Sequence, residues 1–222
     1  MTDIIRLGQG HLGAVIDLHH KVLSLLPAGL AAQETDRFFA DHISDCGQIY
    51  GAFNGENLIA YSILGLPRAG DPNFGTDHQL PSDQLADVAH IDGVAVAPAW
   101  RGQGWHRKMI DHRLATAQVH GRKIMLSTVA PGNLPSLRSL MSCGFTICGI
   151  IEKFGGIRYL MRQDVSAGTN SPPVLAAQET LTTIDWVNID DLARQRAFFA
   201  RGAIGVSWNI ENDQVQIGFI AS

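Results

Sequence analysis

The segment VAVAPAWRGQGWHRKM, residues 94–109, constrains the fold of this chain more than any other stretch. It begins as a β-strand of small apolar residues, and Pro98 ends that strand because proline has no N–H to donate to a sheet. Gly102 and Gly104 follow, and a basic helix begins after them. The first N–H groups of a helix have no partner within it, and the helix dipole favours negative charge there. The segment therefore predicts an anion site between a strand and a helix.

The rest of the chain predicts one large domain and a small addition. Residues 1–165 show patterns typical of a strand, two helices, a hairpin, a strand, a helix, a strand, a helix and a closing hairpin, in that order. Residues 166–173, SAGTNSPP, have the composition of a linker. Residues 174–222 predict a helix and a hairpin that turns at Asn212 and Asp213. Because so short a unit is marginal alone, we expect it to dock on the main domain or on a second chain.

Charge and composition narrow the functional classes. The formal net charge is −4, which argues against nucleic acid or an anionic membrane as a general partner. No apolar run reaches the roughly 18 residues that a membrane helix needs, and the first residues do not resemble a signal peptide. The three cysteines form no CxxC pair, so we expect reduced thiols and a cytoplasmic protein. A homodimer is conceivable, because the last strand could pair across a chain boundary.

A second glycine-rich stretch offers an alternative phosphate site. In GQGHLG, Gly8, Gly10 and Gly13 match the dinucleotide-binding pattern GxGxxG. That pattern needs a second strand ending in an acidic residue about 20 residues later. Glu34 and Asp36 lie at that distance, but the sequence around them has helical periodicity. We therefore expect this stretch to be an ordinary loop and helix start, and helical structure over residues 30–43 would exclude the dinucleotide reading.

The combined motifs resemble the GCN5-related N-acetyltransferase (GNAT) superfamily. The acyl-CoA motif of that family reads Arg or Gln, two residues, Gly, any residue, then Gly or Ala, and residues 101–104 fit it. Downstream, APGNLPSLRSLMSCGF is similar to the next family element, in which Asn133 starts a helix that ends at Gly144 and Phe145. The resemblance covers the first three quarters of the chain. It implies an α/β (α+β) fold with a mixed, mostly antiparallel central sheet flanked by helices.

The resemblance also implies a binding site for acetyl-CoA as co-substrate, with no metal. The backbone of Val94, Ala95 and Val96 would pair with the pantetheine arm, and Asn133 would bond the arm or a nearby water. The glycine-rich turn would wrap the pyrophosphate; its residues are Arg101, Gly102, Gln103, Gly104, Trp105 and His106. Two positions depart from the family. His106 stands where Gly or Ala is usual, and Leu140 stands where many members carry a tyrosine thought to protonate the departing thiolate.

A base is needed for amine acetylation, because an alkyl ammonium has a pKa of about 10.4 and must lose a proton. His90 and Asp92 are two residues apart on one predicted strand, so they should share a face. Some small-amine acetyltransferases of the family place histidines at this point. We expect Asp92 to act as base or to orient the ammonium, and His90 to act as base or relay. The alternative is that His90 is a structural strand residue and Asp92 faces solvent.

Two functions follow from these expectations. The first is an N-acetyltransferase that moves an acetyl group from acetyl-CoA to a primary amine, on a small molecule or a protein, by direct transfer in a ternary complex. The second is a non-catalytic acyl-CoA-binding regulatory module, which Leu140 and His106 motivate.

Overall fold

A computed structural model of the protein describes residues 3–165 and 183–221, and the predicted linker at 166–173 lies outside these residues. The described helices are α1 (Leu12–Leu23), α2 (Asp36–Ser44), α3 (Phe74–Asp77), α4 (Trp105–Val119), α5 (Leu134–Ser142) and α6 (Leu192–Phe199). The described strands are β1 (Ile4–Arg6), β2 (Gly47–Asn54), β3 (Asn57–Gly65), β4 (Val88–Val96), β5 (Ile124–Val129), β6 (Thr146–Lys153), β7 (Gly156–Asp164), β8 (Asp185–Asn188), β9 (Ile204–Glu211) and β10 (Gln214–Ile220).

The strands form one sheet in the order β1-β2-β3-β4-β5-β7-β6-β9-β10-β8. Neighbouring strands are antiparallel except β4 and β5, which are parallel because α4 crosses between them. This confirms the mixed, mostly antiparallel sheet that the sequence predicted.

Helices cover both faces of the sheet, as the alternation of buried residues along β3 requires. Tyr61 and Ile63 pack in one core with Val15 of α1 and Phe39 of α2. Leu64, which points the other way, packs in the second core against residues of α4 and α5. The sheet is therefore buried on both sides where β3, β4 and β5 lie, and this is where the sequence motifs meet.

The long polar segment at 67–88 has more structure than its composition predicts. It contains α3 and a short 3₁₀ helix at Ser82–Asp87. The side chain of Asn73 caps α3 by accepting a hydrogen bond of 2.8 Å from the Gly75 N–H. The segment is therefore a packed cover over the start of β4.

The C-terminal residues extend the main sheet. Strand β9 pairs with β6 through Ile147 and Gly205, and a Cβ added to Gly205 would lie 3.1 Å from the Ile147 Cβ. Strand β6 lies so close to position 205 that a side chain there would be crowded, which explains the glycine. The hairpin turns at Asn212 and Asp213, both with positive φ as a tight hairpin turn demands. Strand β8 was not predicted, because its four residues are too few to show periodicity.

A buried polar contact joins this extension to the main sheet. The Tyr159 hydroxyl of β7 donates a hydrogen bond of 2.8 Å to Oε1 of Gln195 in α6, and both side chains are fully buried. The Gln195 amide donates to the backbone oxygens of Asn188 and Ile189. The last strand, β10, lies between β9 and β8, so it has no free edge for the intermolecular pairing that the sequence suggested.

We expect Tyr159→Phe to lower the free energy of unfolding by about 1–3 kcal/mol, because Gln195 Oε1 would remain buried without a donor. Urea denaturation measures this change. Hydrogen exchange should also accelerate across β8, β9 and β10. Tyr50→Phe is the matched control, since the Tyr50 hydroxyl donates to Gln48 within β2 and should leave exchange in the extension unchanged. Unchanged stability and exchange in Tyr159→Phe would contradict this role.

Candidate active site

A cleft opens in the middle of the sheet because β4 and β5 separate. The two strands pair only through Val88–His90 and Ile124–Leu126, and beyond these residues β4 has no β5 partner. The opening holds about 930 Å³, including space continuous with solvent. Its walls come from α1, the 24–35 segment, β4, the start of α4, the end of β5, the start of α5 and the β6–β7 hairpin.

A β-bulge starts the separation. Ile91 of β4 lies opposite Leu64 and Val94 lies opposite Ser62, so Asp92 and Gly93 together face Ile63. A bulge of this kind bends the strand and increases its twist. The Ser127 hydroxyl of β5 donates to the Ile91 oxygen at 2.7 Å and closes the narrow end of the cleft.

Arg113 of α4 holds the bulge in place. Its Nη1 donates to the backbone oxygens of Asp92 at 2.6 Å and Ile63 at 3.1 Å, and its Nε donates to Met109 O within its own helix. The side chain is only 1% exposed. Burial lowers the pKa of Arg113 to about 10, opposed by the nearby Asp92 carboxylate, so the guanidinium is still charged at neutral pH. A buried charge therefore satisfies the carbonyl groups that the bulge removes from the sheet.

The predicted anion site lies at the start of α4. Gly102 and Gly104 have φ values of 74° and 75°, and a Cβ at either position would enter open space. Among the described residues, none accepts a hydrogen bond from the backbone N–H groups of 102–107. The Arg101 side chain is exposed beside them, while the Gln103 side chain donates to Ala99 O. This turn can accept a phosphate without rearranging the protein.

Two aromatic residues of the same turn have different environments. The Trp105 side chain is buried in a core with Met109, so only its backbone faces the turn. His106 lines the cleft. Burial and the Arg113 charge lower the pKa of His106 to about 4, so the imidazole is neutral at physiological pH. His106 would therefore add a positive charge to the phosphate site only at a pH near 4 or below.

The predicted pantetheine residues lie along one wall of the cleft. Val94, Ala95 and Val96 pair with β3 on one side only. Their other backbone edge faces the gap between β4 and β5, as an added strand-like ligand requires, although the Val96 oxygen accepts a hydrogen bond of 3.4 Å from Arg101 Nε. On the opposite wall, the Asn133 carbonyl oxygen caps α5 through the Ser136 N–H, and its amide donates to Leu30 O. Asn133 thus joins α5 to the 24–35 segment.

His90 does not lie in the cleft. Its ring stacks on Phe74 with 4.1 Å between centroids, and its Nε2 accepts a hydrogen bond from the Phe74 N–H. Burial lowers the pKa of His90 to about 3. The imidazole is therefore neutral, and its one acceptor nitrogen is occupied, so the geometry favours a structural role. The bulge explains the difference from Asp92, because it breaks the two-residue alternation just after His90.

Asp92 lines the cleft, and the structure brings Glu34 to the same space. Burial raises the pKa of Asp92, while His42, the Gly93 N–H and Arg113 act in the opposite direction. Burial and the nearby Asp92 charge raise the pKa of Glu34 to about 7. Two carboxyl groups in one partly closed space resist ionising together. Glu34 therefore has the pKa of a base that works near neutral pH.

Tyr61 and His19 form a buried pair on the wall of the cleft. The Tyr61 hydroxyl and His19 Nδ1 are 2.8 Å apart. Burial, Glu34 and Asp92 all raise the pKa of Tyr61, so its hydroxyl stays protonated. Burial and the adjacent His20 lower the pKa of His19 to about 4. The pair is therefore neutral beside the two carboxyl groups.

The cleft wall has no tyrosine at the position where the family usually has one. Leu140 is buried there, as the sequence indicated. Tyr159 cannot replace that tyrosine, because its hydroxyl donates to Gln195 and its side chain does not line the cleft.

Sequence reasoning missed Glu34 and Arg113, and also Arg158 of β7, which lines the cleft. Glu34 was considered only as a dinucleotide ligand, and Arg113 and Arg158 were not singled out. The helix expected over residues 30–43 begins only at Asp36, after the Thr35 cap, but no strand carries Glu34 or Asp36, and this excludes the dinucleotide reading. A basic residue on the apolar side of α4 was the available signal for Arg113.

Within residues 3–165 and 183–221, no group of three or more histidine, cysteine or acidic side chains is arranged to hold a metal ion. Over the same residues, no helix has the length and apolar character needed to cross a bilayer.

Comparison with known proteins agrees with this geometry. The profile of the Acetyltransferase (GNAT) family matches residues 17–145. No curated protein sequence matches significantly. Among solved structures, the ribosomal-protein-S18-alanine N-acetyltransferase from Escherichia coli has 16% identity and a TM-score of 0.56, with 76% of this chain and 97% of that chain covered. The yncA structure from Salmonella typhimurium with its cofactor acetyl-CoA has 20% identity and a TM-score of 0.58, with 77% and 97% covered.

An N-acetyltransferase from Staphylococcus aureus Mu50 has 13% identity and a TM-score of 0.58, with 75% and 99% covered. These likenesses establish the fold, and the family profile spans more than half of the sequence. The chain belongs to the acetyltransferase (GNAT) family.

Proposed function

We propose that the protein is an N-acetyltransferase that moves the acetyl group of acetyl-CoA directly to a primary amine while both are bound. The observation that carries this proposal is a cleft with an anion-binding turn at one wall and a carboxyl group of pKa about 7 at another. The first feature suits a phosphorylated carrier, and the second suits removal of a proton from an ammonium.

The residues present fit acetyl-CoA. The turn at 101–106 would hold the pyrophosphate with the backbone N–H groups of residues 102–106, which have no partner among the described residues, and Arg101 would add a charge. Val94, Ala95 and Val96 offer a strand edge to the amides of the pantetheine arm. Asn133 lies across the gap. When bound, acetyl-CoA supplies an activated acyl group whose thiolate leaves readily.

We assign the role of base to Glu34, with Asp92 as its partner. A carboxylate with a pKa near 7 is ionised in half of the molecules at neutral pH and is more basic than an ordinary glutamate. Asp92 contributes by raising that pKa and by attracting the incoming ammonium. His90, expected from the sequence to share this role, is assigned a structural one because Nε2 is occupied.

The protein needs no side-chain acid to release the thiol. A thiol has a pKa of about 8.5, so its thiolate is a tolerable leaving group near neutral pH. Leu140 is therefore compatible with turnover.

The three cysteines, all unpaired, are in the state expected of a reducing compartment, which supports a cytoplasmic location.

A glycine substitution tests the anion-binding turn. Gly104→Ala should weaken acetyl-CoA binding by about 10- to 100-fold, because the added Cβ strains a positive φ and displaces charge-assisted N–H donors. Gly121→Ala is the matched control: Gly121 has φ 72°, follows the other end of the same helix and also faces open space. Calorimetry should show weaker binding in Gly104→Ala alone, while both variants lose similar thermal stability. Equal affinities would contradict the assignment.

The pH profile tests Glu34. We expect kcat/KM to fall as the pH drops through about 7, because protonation removes the base. Glu34→Gln should lower kcat by about 100- to 10,000-fold and abolish that transition. Glu56→Gln, in the exposed turn between β2 and β3, is the matched control and should keep both the rate and the profile. A Glu34→Gln enzyme with an unchanged acidic limb would exclude Glu34 as the base.

The Asp92→Asn variant distinguishes the roles of the two carboxyl groups. If Glu34 is the base, removing the neighbouring negative charge lowers the pKa of Glu34, so the acidic limb of kcat/KM moves to lower pH while activity survives. If activity disappears and no limb is measurable, Asp92 is the base and Glu34 its partner.

A binding module without turnover remains the second candidate, favoured by the absence of a hydroxyl group at Leu140. Acetyl-CoA binding without CoA release across a broad panel of amines would favour it.

A further inference from the structure

A buried arginine in the cleft has no role in the chemistry proposed above. Arg158 of β7 lines the same cleft as Glu34 and Asp92, and its side chain is only 3% exposed. Its Nη1 donates to Ile157 O at 2.9 Å and its Nη2 to Phe154 O at 3.3 Å. A guanidinium has five N–H donors, so three have no acceptor in the part of the chain that the structure describes.

The charge of Arg158 is also uncompensated. Among the described residues, no carboxylate lies within 4.0 Å of it. Arg162, on the same strand, pairs with Asp164 at 2.8 Å. Buried cations in proteins are normally paired, because removing a charge from water is costly. Burial lowers the pKa of Arg158, but a guanidinium keeps its proton at neutral pH.

The local structure makes room for this guanidinium. A Cβ added to Gly156 would lie 3.1 Å from Arg158 Nη1, so a side chain at 156 would crowd it. The same hypothetical Cβ would lie 3.8 Å from Gly29 O, which places the 24–35 segment beside the arginine. Asn133 fixes that segment from the other direction through Leu30 O. Arg158 is therefore enclosed on the side of the cleft bounded by the 24–35 segment and the β6–β7 hairpin.

The cleft thus contains separated charges of opposite sign. Glu34 and Asp92 can attract an ammonium, and Arg158 can bind an anion through two parallel N–H groups, which is the geometry that a carboxylate fits. The same cleft is also lined by the apolar side chains of Val22, Leu26, Leu30 and Phe154. A molecule with an amine, a carboxylate and an apolar body would satisfy all three parts.

We propose that the acceptor is a small amino acid whose carboxylate binds Arg158 while its amine faces Glu34 and Asp92. This inference rests on the proposed acetyl transfer and specifies the substrate class for it. The amine nitrogen forms the bond to the acetyl carbon, the carbon–sulfur bond breaks, and the proton released from nitrogen goes to Glu34. The carboxylate is unchanged and serves only in recognition.

Matched acceptors test the carboxylate. L-Leucine, L-leucinamide and 3-methylbutylamine share an apolar chain and a primary amine, but only leucine carries a carboxylate. Pentylamine and 5-aminopentanoate repeat the comparison with a longer spacing, and the other standard amino acids extend the panel. We expect kcat/KM to be at least about 10-fold higher for the carboxylate-bearing member of a pair, the loss typical of a missing charge-assisted bond. Amines that react as well without a carboxylate would overturn the inference while leaving acetyl transfer intact.

Variants of Arg158 test whether this residue binds the carboxylate of the acceptor. Arg158→Gln should raise KM for the amino acid by about 10- to 100-fold, with little change for the carboxylate-free amine or in acetyl-CoA affinity. Arg158→Lys, which keeps the charge but loses the paired N–H groups, should fall between Arg158→Gln and the unaltered protein. Arg162→Gln is the matched control on the same strand, outside the cleft. An Arg158→Gln variant that remains folded and weakens acetyl-CoA, or all acceptors equally, would contradict the assignment.

A binding measurement separates failure of this inference from failure of the proposed function. Calorimetry with each amino acid, in the presence of CoA, does not require turnover. If nothing is acetylated but an amino acid binds in an Arg158-dependent manner, the proposed transfer fails and the recognition site stands. If no carboxylate-bearing amine binds, the inference is overturned.

Discussion

The structure depends on the separation of β4 from β5. Two parallel strands in the middle of a sheet would ordinarily continue to pair, and their unpaired backbone groups would be costly to bury. Here the bulge at Asp92 and Gly93 turns β4 away, and Arg113 reaches through from α4 to satisfy two of the carbonyl groups that lie there. The cleft, the exposed strand edge and the position of Asp92 all follow from that arrangement. A buried cation is thus used to stabilise an interruption in the sheet.

Burial of the cleft walls also determines which of their titratable groups are charged. Removing water opposes ionisation of every group on its walls, so the nearby imidazoles are neutral and the pKa values of Glu34 and Asp92 rise. The ionisation of Glu34 depends both on its burial and on the charge of the neighbouring Asp92. Burial, and after it the charge of Asp92, raise the pKa of Glu34 to about 7, the value on which its proposed role as a base depends.

The sequence predicted the parts of the site that depend on neighbouring residues along the chain. The glycine-rich turn at 101–106, the cap at Asn133 and the order of helices and strands along residues 1–165 follow from local patterns, and the family resemblance adds the mixed, mostly antiparallel sheet. The places of Glu34 and Arg158 in the cleft could not be predicted, because each lies far along the chain from the residues it faces; Arg113 had a signal on its own helix, but its partners at Ile63 and Asp92 had none. His90 shows the limit of periodicity: two residues on one strand share a face only when no bulge intervenes, and a bulge leaves little signature in sequence.

The outermost strands of the sheet bear on how the protein behaves at high concentration. Strand β1 has three residues and β8 has four, so the two open margins present few unpaired backbone groups. Edge-to-edge pairing of sheets, a common route to aggregation, requires longer flat margins. By placing β9 against β6, the C-terminal residues replace an eight-residue margin with a four-residue one. At this end of the sheet the outermost strand is therefore β8, whose four residues are too few to favour pairing between molecules.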